Sequence, residues 1–376
     1  MGHSDLGATH NVLLRDIISQ HISHTGPITF SDFMALALYH PDQGYYVRCD
    51  PSLDYHSSPN VHPVFGATIA RQLAGFWRQL GEPSRFDVFE AGAGNGRLAS
   101  DILRHLRLAE PALYEAIGYT LQDATYRQTE AVNFIDAAGL PADKVMVASG
   151  LPETDTIEGC ILSNELLDAL PFHRVRRRDG RLYEVRVGYQ HDRFVDAEVD
   201  AGPKIDAYFT ALGIEPGEGC DAEVCLAASE WIGAAARALR RGHLLTLDYG
   251  YEASALYAPW RKAGTLLTFY RHTSGDDPYA RVGRQDITAS VDFTTVMRAG
   301  EASGLRTLGL TTQAEYLGAL GIGEGLTRRP AADGLEAYYA LRRSVIELTD
   351  PSGLGRIRVL LQAKDVPEIS AVAAAG

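Results

Sequence analysis

Short apolar runs alternate with segments of helical periodicity through the middle of the chain. Each run ends in polar residues, which is typical of parallel strands that are buried on both faces and whose carboxyl ends meet at one edge of a sheet. The predicted strands occupy residues 86–90, 117–123, 144–149, 159–165, 243–250 and 356–362. We therefore predict an α/β fold with a doubly wound, Rossmann-like sheet.

Helical patterns and loop signals surround these strands. Apolar residues at helical spacing begin the chain, and Ser31 and Asp292 are of residue types that cap helices. Helices are predicted over residues 11–22, from the Ser31 cap, over 66–80, over 226–240 and from the Asp292 cap to Gly304. Proline, glycine and aromatic residues predict ordered loops at 39–46 and 57–66, and a strand-rich segment interrupts the alternation at 173–199.

The composition is that of a globular protein. Of the 376 residues, 45% are hydrophobic and 22% are charged, and no apolar run approaches the length of a membrane span. The formal net charge of -13 removes the basic surface that proteins binding nucleic acid present. The 4 cysteines form no CxxC pair, so no metal site is predicted. Because no secretory signal is recognisable, we expect a cytoplasmic protein without membrane or nucleic-acid partners.

A glycine-rich turn follows the first predicted strand. Gly92, Gly94 and Gly96 lie between that strand and a helix, where the backbone can approach a nucleotide cofactor without obstruction by a Cβ atom. The spacing is GxGxG rather than the GxGxxG of dinucleotide sites, and an acid, Glu90, ends the strand. A carboxylate there suits the cationic amino-acid part of S-adenosylmethionine (SAM) better than it suits a pyrophosphate. The alternative is a glycine turn that serves packing alone.

The end of the second predicted strand holds two candidates for the ribose of such a cofactor. Either Gln122 makes a single amide contact, or Asp123 takes the role and accepts hydrogen bonds from the ribose hydroxyls. The alternative for Asp123 is that it caps the next helix.

Two acids follow the fourth predicted strand, at the edge where open α/β sheets bind ligands. Glu165 and Asp168 are three residues apart, so in a helix both would project from one face. They could clamp a guanidinium, or one of them could remove a proton from a hydroxyl or an amine. The alternative is a pair of surface acids at the start of a helix.

Seven segments together resemble the MidA-like family of SAM-dependent methyltransferases, whose mitochondrial members are complex I assembly factors that methylate a protein arginine. In chain order they are ALALYHPDQGYY, SSPNVHPVFG, EAGAGNGRL, SNELLDALP, LLTLDYG, FYRHTSGDDPYARVGRQDITASVDF and TTQAEYLGALGI. The resemblance spans nearly the whole chain and implies the class I methyltransferase fold with SAM as the cofactor.

Taken with the motifs above, the resemblance implies roles for individual residues. The cofactor-binding candidates are Glu90, Gly92, Gly94, Gly96, Gln122, Asp123 and Asn164; the catalytic candidates are Glu165, Asp168 and His272; and the acceptor-pocket candidates are Tyr45, Tyr46, Asn60, Ser290 and Phe293. It also implies three regions: a helical and loop segment over 1–82 that covers the active site, a SAM-binding domain over 83–172 and 240–365, and a β-rich and helical insertion over 173–239.

Three positions depart from the pattern of the resembled family. Asn60 and Gln122 stand where that pattern has acids, and Ser290 stands where it has a histidine. Because a guanidinium pocket needs carboxylates, these changes favour a less charged acceptor. The sequence therefore predicts a methyltransferase that acts on a small molecule of specialised metabolism. The alternatives are a protein arginine as acceptor, a cyclisation without methyl transfer, and an inactive assembly factor; a homodimer is possible.

Overall fold

The computed structural model describes residues 11–123, 125–327 and 334–367. The helices are α1 (Val12–Thr25), α2 (Phe30–Tyr39), α3 (Tyr45–Arg48), α4 (Ser58–Val61), α5 (Val64–Gln79), α6 (Arg97–Ala109), α7 (Pro111–Ala116), α8 (Thr125–Ala137), α9 (Pro203–Leu212), α10 (Leu226–Ala238), α11 (Ala253–Leu256), α12 (Phe293–Ala302), α13 (Gln313–Ala319) and α14 (Leu335–Thr349). The strands are β1 (Phe86–Ala91), β2 (Ile117–Gln122), β3 (Val145–Ala148), β4 (Ile157–Asn164), β5 (His173–Arg178), β6 (Arg181–Gln190), β7 (Arg193–Asp200), β8 (Asp221–Val224), β9 (Leu239–Asp248), β10 (Gly250–Tyr251), β11 (Leu267–Tyr270), β12 (Thr273–Gly275), β13 (Asp286–Thr288), β14 (Val291–Asp292), β15 (Arg306–Thr312) and β16 (Arg358–Lys364).

Two compact units make up the described residues. The sheet unit comprises the described parts of His56–Leu166, Glu230–Tyr249 and Met297–Gly376. The mixed unit comprises the described parts of Met1–Tyr55, Leu167–Ser229 and Gly250–Val296. The predicted regional boundaries after residues 82, 172 and 239 stay a prediction.

The sheet unit is built on a 7-stranded sheet with the strand order β15-β16-β9-β4-β1-β2-β3. Strands β3, β2, β1, β4 and β9 run parallel, and β16 pairs antiparallel with both β9 and β15. The sheet begins at its middle with β1, continues outward through β2 and β3, and then returns to β4 on the other side of β1. The carboxyl ends of the neighbours β1 and β4 therefore form the switch point where α/β folds bind ligands. The predicted doubly wound α/β fold is confirmed.

Helices α5 and α6 bury their apolar faces on this sheet. Phe76 of α5 and Ile102 of α6 belong to one core cluster with Val88 of β1 and Leu162 of β4. The ring of Phe76 stacks on the imidazole of His243 in β9, with the centroids 3.7 Å apart. This packing fixes the sheet against two helices and thereby holds the ends of β1 and β4 in place.

The mixed unit contains the N-terminal helices and the β-rich insertion that the sequence predicts. Its largest sheet is antiparallel, with the order β7-β6-β5-β8, and β11 pairs with β12 and β13 in a second sheet. Leu14 of α1 and Phe33 of α2 share a core cluster with Val187 of β6. In the described part of the chain, no helix combines the length and the apolar character needed to cross a membrane.

Two local predictions are corrected by the structure. Thr29, rather than Ser31, caps α2, because the Thr29 side chain accepts a 3.0 Å hydrogen bond from the Asp32 amide. The segment after β4 is a series of turns over 165–170 and not a helix, so the helical argument for pairing Glu165 with Asp168 is wrong. The Asp292 cap of α12 is confirmed, since its carboxylate accepts from the Thr294 and Thr295 amides at 2.9 and 3.3 Å.

Candidate active site

The glycine turn joins β1 to α6 in the sheet unit. Gly94 has a φ of 55°, and a Cβ atom built there would meet nothing within 4 Å, so this side of the backbone is open to a ligand. Gly96 caps α6 with a φ of 76°, and its Cβ atom would lie 3.0 Å from the Cβ atom of Ala131. Gly96 therefore serves packing against α8, whereas Gly94 has the surroundings expected of cofactor contact.

The end of β2 holds the glycine turn in place. The Gln122 carbonyl accepts hydrogen bonds from the Gly92 and Ala93 amides at 2.9 and 3.1 Å. The Asp123 carboxylate accepts a 2.6 Å hydrogen bond from the Gly94 amide. Asp123 thus stabilises the glycine turn. Sequence reasoning missed this contact. The predicted capping of α8 by Asp123 involves residue 124, which lies outside the described residues.

Glu90 is buried at the end of β1, with 3% of its surface exposed. The Tyr119 hydroxyl donates a 2.7 Å hydrogen bond to its Oε2. Burial raises the pKa of Glu90 to about 8, the Tyr119 hydrogen bond opposes that shift, and the charge of Asp123 adds to it. The free protein therefore holds a proton here near neutral pH, and a cation beside the carboxyl would favour its release.

Glu165 follows β4 in a left-handed backbone conformation with a φ of 52°. Its Oε1 accepts hydrogen bonds from the Asn164 amide group at 3.0 Å and from the backbone amide of Ser58, the first residue of α4, at 3.2 Å. Burial raises the pKa of the Glu165 carboxyl to about 7, and these two donors oppose the shift. A carboxyl with that pKa can accept a proton at physiological pH.

Two further polar side chains lie at the carboxyl ends of β4 and β9. The side-chain oxygen of Asn164 is buried and has no hydrogen-bond partner within the described ranges. The fully buried carboxylate of Asp248, at the end of β9, accepts from the backbone amides of Leu166 at 3.1 Å and Tyr249 at 2.8 Å. Sequence reasoning missed Asp248, although an acid that ends an apolar strand is the same signal that singled out Glu90.

Tyrosines and carboxylates pair in the mixed unit. The Tyr46 hydroxyl donates to Asp286 Oδ1 at 3.0 Å, and the fully buried Tyr45 donates to Asp54 Oδ2 at 2.7 Å. The Tyr39 and Tyr46 rings lie 5.2 Å apart. Asp286 is 1% exposed, and burial raises its pKa to about 7. Tyr39 and Tyr46 are partly exposed, and the faces of aromatic rings attract cations.

His272 lies in the exposed turn between β11 and β12, with a φ of 59°. Its amide donates to the Asp54 carbonyl at 3.0 Å, and the Arg271 amide donates to the Asp54 carboxylate at 2.6 Å. Asp54 therefore connects this turn to Tyr45. Sequence reasoning did not single out Asp54, whose partner Arg271 lies 217 positions further along the chain. The catalytic role of His272 stays a prediction.

Asp168 and Ser290 line one cavity of ≈ 20 Å³ within the mixed unit, together with Tyr208, Glu223 and Asp292. This volume holds about one water molecule. Asp168 and Ser290 also lie close along the backbone, because the Ala289 amide donates to the Asp168 carbonyl at 3.2 Å. The structure thus brings these two sequence-predicted residues together.

Phe293 and Asn60 have other surroundings. Phe293 is fully buried at the start of α12, and its ring closes against Gly250, whose Cβ atom would lie 2.8 Å from it. Asn60 in α4 donates from its amide group to the Ser57 hydroxyl at 3.1 Å. Phe293 therefore packs in a core, and the acceptor roles of both residues stay predictions.

Comparisons with known proteins identify the family of the chain. The model of a family described as "Putative S-adenosyl-L-methionine-dependent methyltransferase" matches residues 68–311. The Drosophila melanogaster homolog of the mitochondrial protein arginine methyltransferase NDUFAF7 is 27% identical over 92% of this chain and 83% of its own length. The Homo sapiens protein of that name is 28% identical over 80% of this chain and 71% of its own length.

A solved structure extends the match to three dimensions. A protein from Burkholderia thailandensis bound to S-adenosyl-homocysteine superimposes with a TM-score of 0.87 at 29% sequence identity, covering 97% of this chain and 95% of that one. The curated relatives are named as mitochondrial proteins. The predicted cytoplasmic location is therefore wrong by this comparison.

Proposed function

Because the chain belongs to a family of SAM-dependent methyltransferases, we propose that it transfers the methyl group of SAM to a guanidinium nitrogen of an arginine in a protein. The enzyme class and the cofactor are those that the sequence predicts. The acceptor is the new element of the proposal. Its main support is the pairing of tyrosines with buried carboxylates in the mixed unit, and the names of the relatives agree with it.

The residues at the ends of β1, β2 and β4 fit SAM. Gly94 leaves open space beside its backbone, Glu90 is a buried acid that a cation would ionise, and Asn164 has a buried oxygen that lacks a partner among the described residues. These three residues would hold the cofactor. Bound SAM would supply a methyl carbon, which accepts a lone pair from the acceptor while the carbon–sulfur bond breaks and the electrons of that bond stay on sulfur.

The acceptor nitrogen must lose a proton when it gains the methyl group. A guanidinium is charged at any accessible pH, so no residue removes that proton in advance, and proton loss accompanies or follows transfer. Glu165 is suited to receive the proton, because burial raises the pKa of its carboxyl to about 7. The hydrogen bonds from Asn164 and Ser58 orient this carboxyl through one oxygen.

The tyrosine pairs support a cation as the acceptor. Asp286 is buried beneath Tyr46, whose hydroxyl it binds, and Tyr39 adds a second partly exposed ring. A guanidinium stacks on aromatic rings and pairs with carboxylates, whereas a neutral acceptor gains little from either. A cation over these rings would also favour the ionised form of Asp286.

A small-molecule acceptor is the second candidate, and the uncharged side chains of Asn60 and Ser290 favour it. Asn60, which carries no charge, adds nothing to the attraction of a guanidinium.

Methyl-labelled SAM distinguishes the two acceptors. The protein is incubated with labelled SAM and an extract of its source cells, and the extract is then divided into protein and small-molecule fractions. We expect label in protein, recovered as methylarginine after acid hydrolysis, and loss of that label with Glu165→Gln. Label confined to small molecules would replace the arginine proposal with the second candidate. If SAM does not bind in a calorimeter, both proposals fail.

A further inference from the structure

We propose that Asp248 is a positioning residue whose carboxylate fixes the turn that carries Glu165. The inference rests on the proposed function, because it treats Glu165 as the group that receives the acceptor's proton. The end of β9 binds this turn at two consecutive backbone amides. The Leu247 carbonyl accepts from the Glu165 amide at 2.8 Å, and Asp248 Oδ2 accepts from the Leu166 amide at 3.1 Å.

The turn needs such support because its conformation is unfavourable. Glu165 has a φ of 52°, a region that side chains other than glycine adopt at a cost in free energy. A backbone of this kind persists only where its surroundings determine it, and such sites cluster where function requires a fixed geometry. The two hydrogen bonds to the end of β9 hold the backbone amides of Glu165 and Leu166 and so fix the backbone conformation of residue 165.

The chemistry of the contact calls for a carboxylate. The two oxygens of Asp248 accept from two different amides, those of Leu166 and Tyr249. An asparagine has one accepting oxygen, and its amino group would face the second amide donor to donor. Asp248 is 0% exposed, so water cannot substitute for a lost hydrogen bond without opening the structure.

The orientation of the Glu165 carboxyl follows from this arrangement. Its Oε1 meets the Asn164 and Ser58 donors only while the backbone of residue 165 stays in place. A relaxed turn would move the carboxyl away from these donors and towards solvent. Because methyl and proton transfer depend steeply on position, a shift of about 1 Å can slow turnover about 100-fold.

The test compares Asp248→Asn with Thr246→Val as a matched control. Thr246 lies on the same strand and is equally buried, and its hydroxyl has no hydrogen-bond partner in the described part of the chain, so valine replaces it at nearly equal size. With labelled SAM and the protein fraction that the wild type methylates, we expect Asp248→Asn to lower kcat by about 10- to 100-fold. The KM for SAM should stay within about twofold, as expected when a residue acts only on the reacting geometry.

Two further readouts separate positioning from a general loss of stability. In Asp248→Asn the Leu166 amide should exchange its proton at least about tenfold faster, as expected for a lost charge-assisted hydrogen bond. The low-pH limb of the kcat profile should move to lower pH, because a Glu165 carboxyl that gains solvent loses the burial that raises its pKa. Thr246→Val should match the wild type in both measurements.

The single variants show whether the proposed role of Glu165 or the proposed role of Asp248 is wrong. If Glu165→Gln turns over like the wild type, the proposed role of Glu165 is wrong, and amide exchange still decides whether Asp248 holds the turn. If Glu165→Gln is slow but Asp248→Asn has normal kcat and normal Leu166 exchange, the positioning role is overturned. Asp248→Asn added to Glu165→Gln should cause little further loss, because both act on one group. Should Asp248→Asn fail to fold, Asp248→Ser, with one accepting oxygen, replaces it.

Discussion

Tyr119 in the middle of β2 and Glu90 near the end of β1 form a buried pair, with the hydroxyl 2.7 Å from the carboxyl oxygen. Burial raises the pKa of Glu90 to about 8 despite this hydrogen bond. Below that pH the free protein holds a proton on an acid that lies directly before the glycine turn. Cofactor binding at this turn is consequently linked to the release of a proton.

The affinity for SAM should depend on pH through the proton on Glu90. Because the free form is protonated below pH 8 and a cationic ligand favours the carboxylate, the affinity for SAM should rise as the pH rises towards 8. Calorimetry at pH 7 in buffers of different ionisation enthalpy should detect the released proton. Glu90→Gln should bind SAM more weakly and release fewer protons, and equal proton release in both proteins would refute the linkage.

Alanine substitutions at the two turn glycines should have different effects on SAM binding and on thermal stability. Gly94→Ala places a methyl group in open space, so we expect weaker SAM binding with a stability loss of only about 1 kcal/mol from the positive φ. Gly96→Ala adds a clash with Ala131 and should lower the melting temperature more. Thermal melting without ligand and SAM titration measure the two effects. Equal melting temperatures for the variants would contradict this division.

Asp286→Asn should affect the acceptor and not the cofactor. Removing the charge beneath Tyr46 should raise the KM for an arginine acceptor by about 10- to 100-fold, the effect of losing a charge-assisted contact. The dissociation constant for SAM should not change. Asp277→Asn, a substitution of an exposed acid in the same unit, serves as the control. An unchanged KM would remove the main support for a cationic acceptor.

Phe76→Ala should destabilise the sheet unit. The Phe76 ring is 1% exposed and stacks on His243, so its removal leaves a cavity against β9 and should cost about 3–5 kcal/mol. Phe76→Leu should cost less, because more of the volume is kept. Urea unfolding followed by circular dichroism measures the free energy of unfolding of both variants. Equal losses would show that the side-chain volume kept by leucine does not contribute to stability.

Six of the seven strands of the large sheet were predictable from sequence because each carries its own signal, whereas β15 was not predicted. The apolar runs that end at Glu90 and Asn164 are short, and parallel strands covered on both faces require that composition. The glycine turn was predictable for a similar reason, since three glycines between a strand and a helix are a local pattern.

The site contacts were less predictable because they join distant parts of the chain. The Leu166 amide and the Asp248 carboxylate are 82 positions apart, and no local pattern announces their hydrogen bond. Two local signals were also ambiguous. Thr29 and Ser31 are both good caps, and the acids at 165 and 168 fit a helix equally well until the positive φ of Glu165 is known.

The hydrogen bond from Ser58 to Glu165 depends on segments that are made at different times during synthesis. The Ser58 amide comes from the chain 107 positions before Glu165, and the Ser58 hydroxyl is in turn bound at 3.0 Å by Gln313, 255 positions after it. Gln313 also donates to the Leu348 carbonyl at 3.0 Å. During synthesis, every cofactor residue emerges long before these late partners. A chain truncated before Gln313 would contain the cofactor turn and Glu165 but would lack the partner of the Ser58 hydroxyl, so the contacts around Glu165 are complete only once this late segment is present.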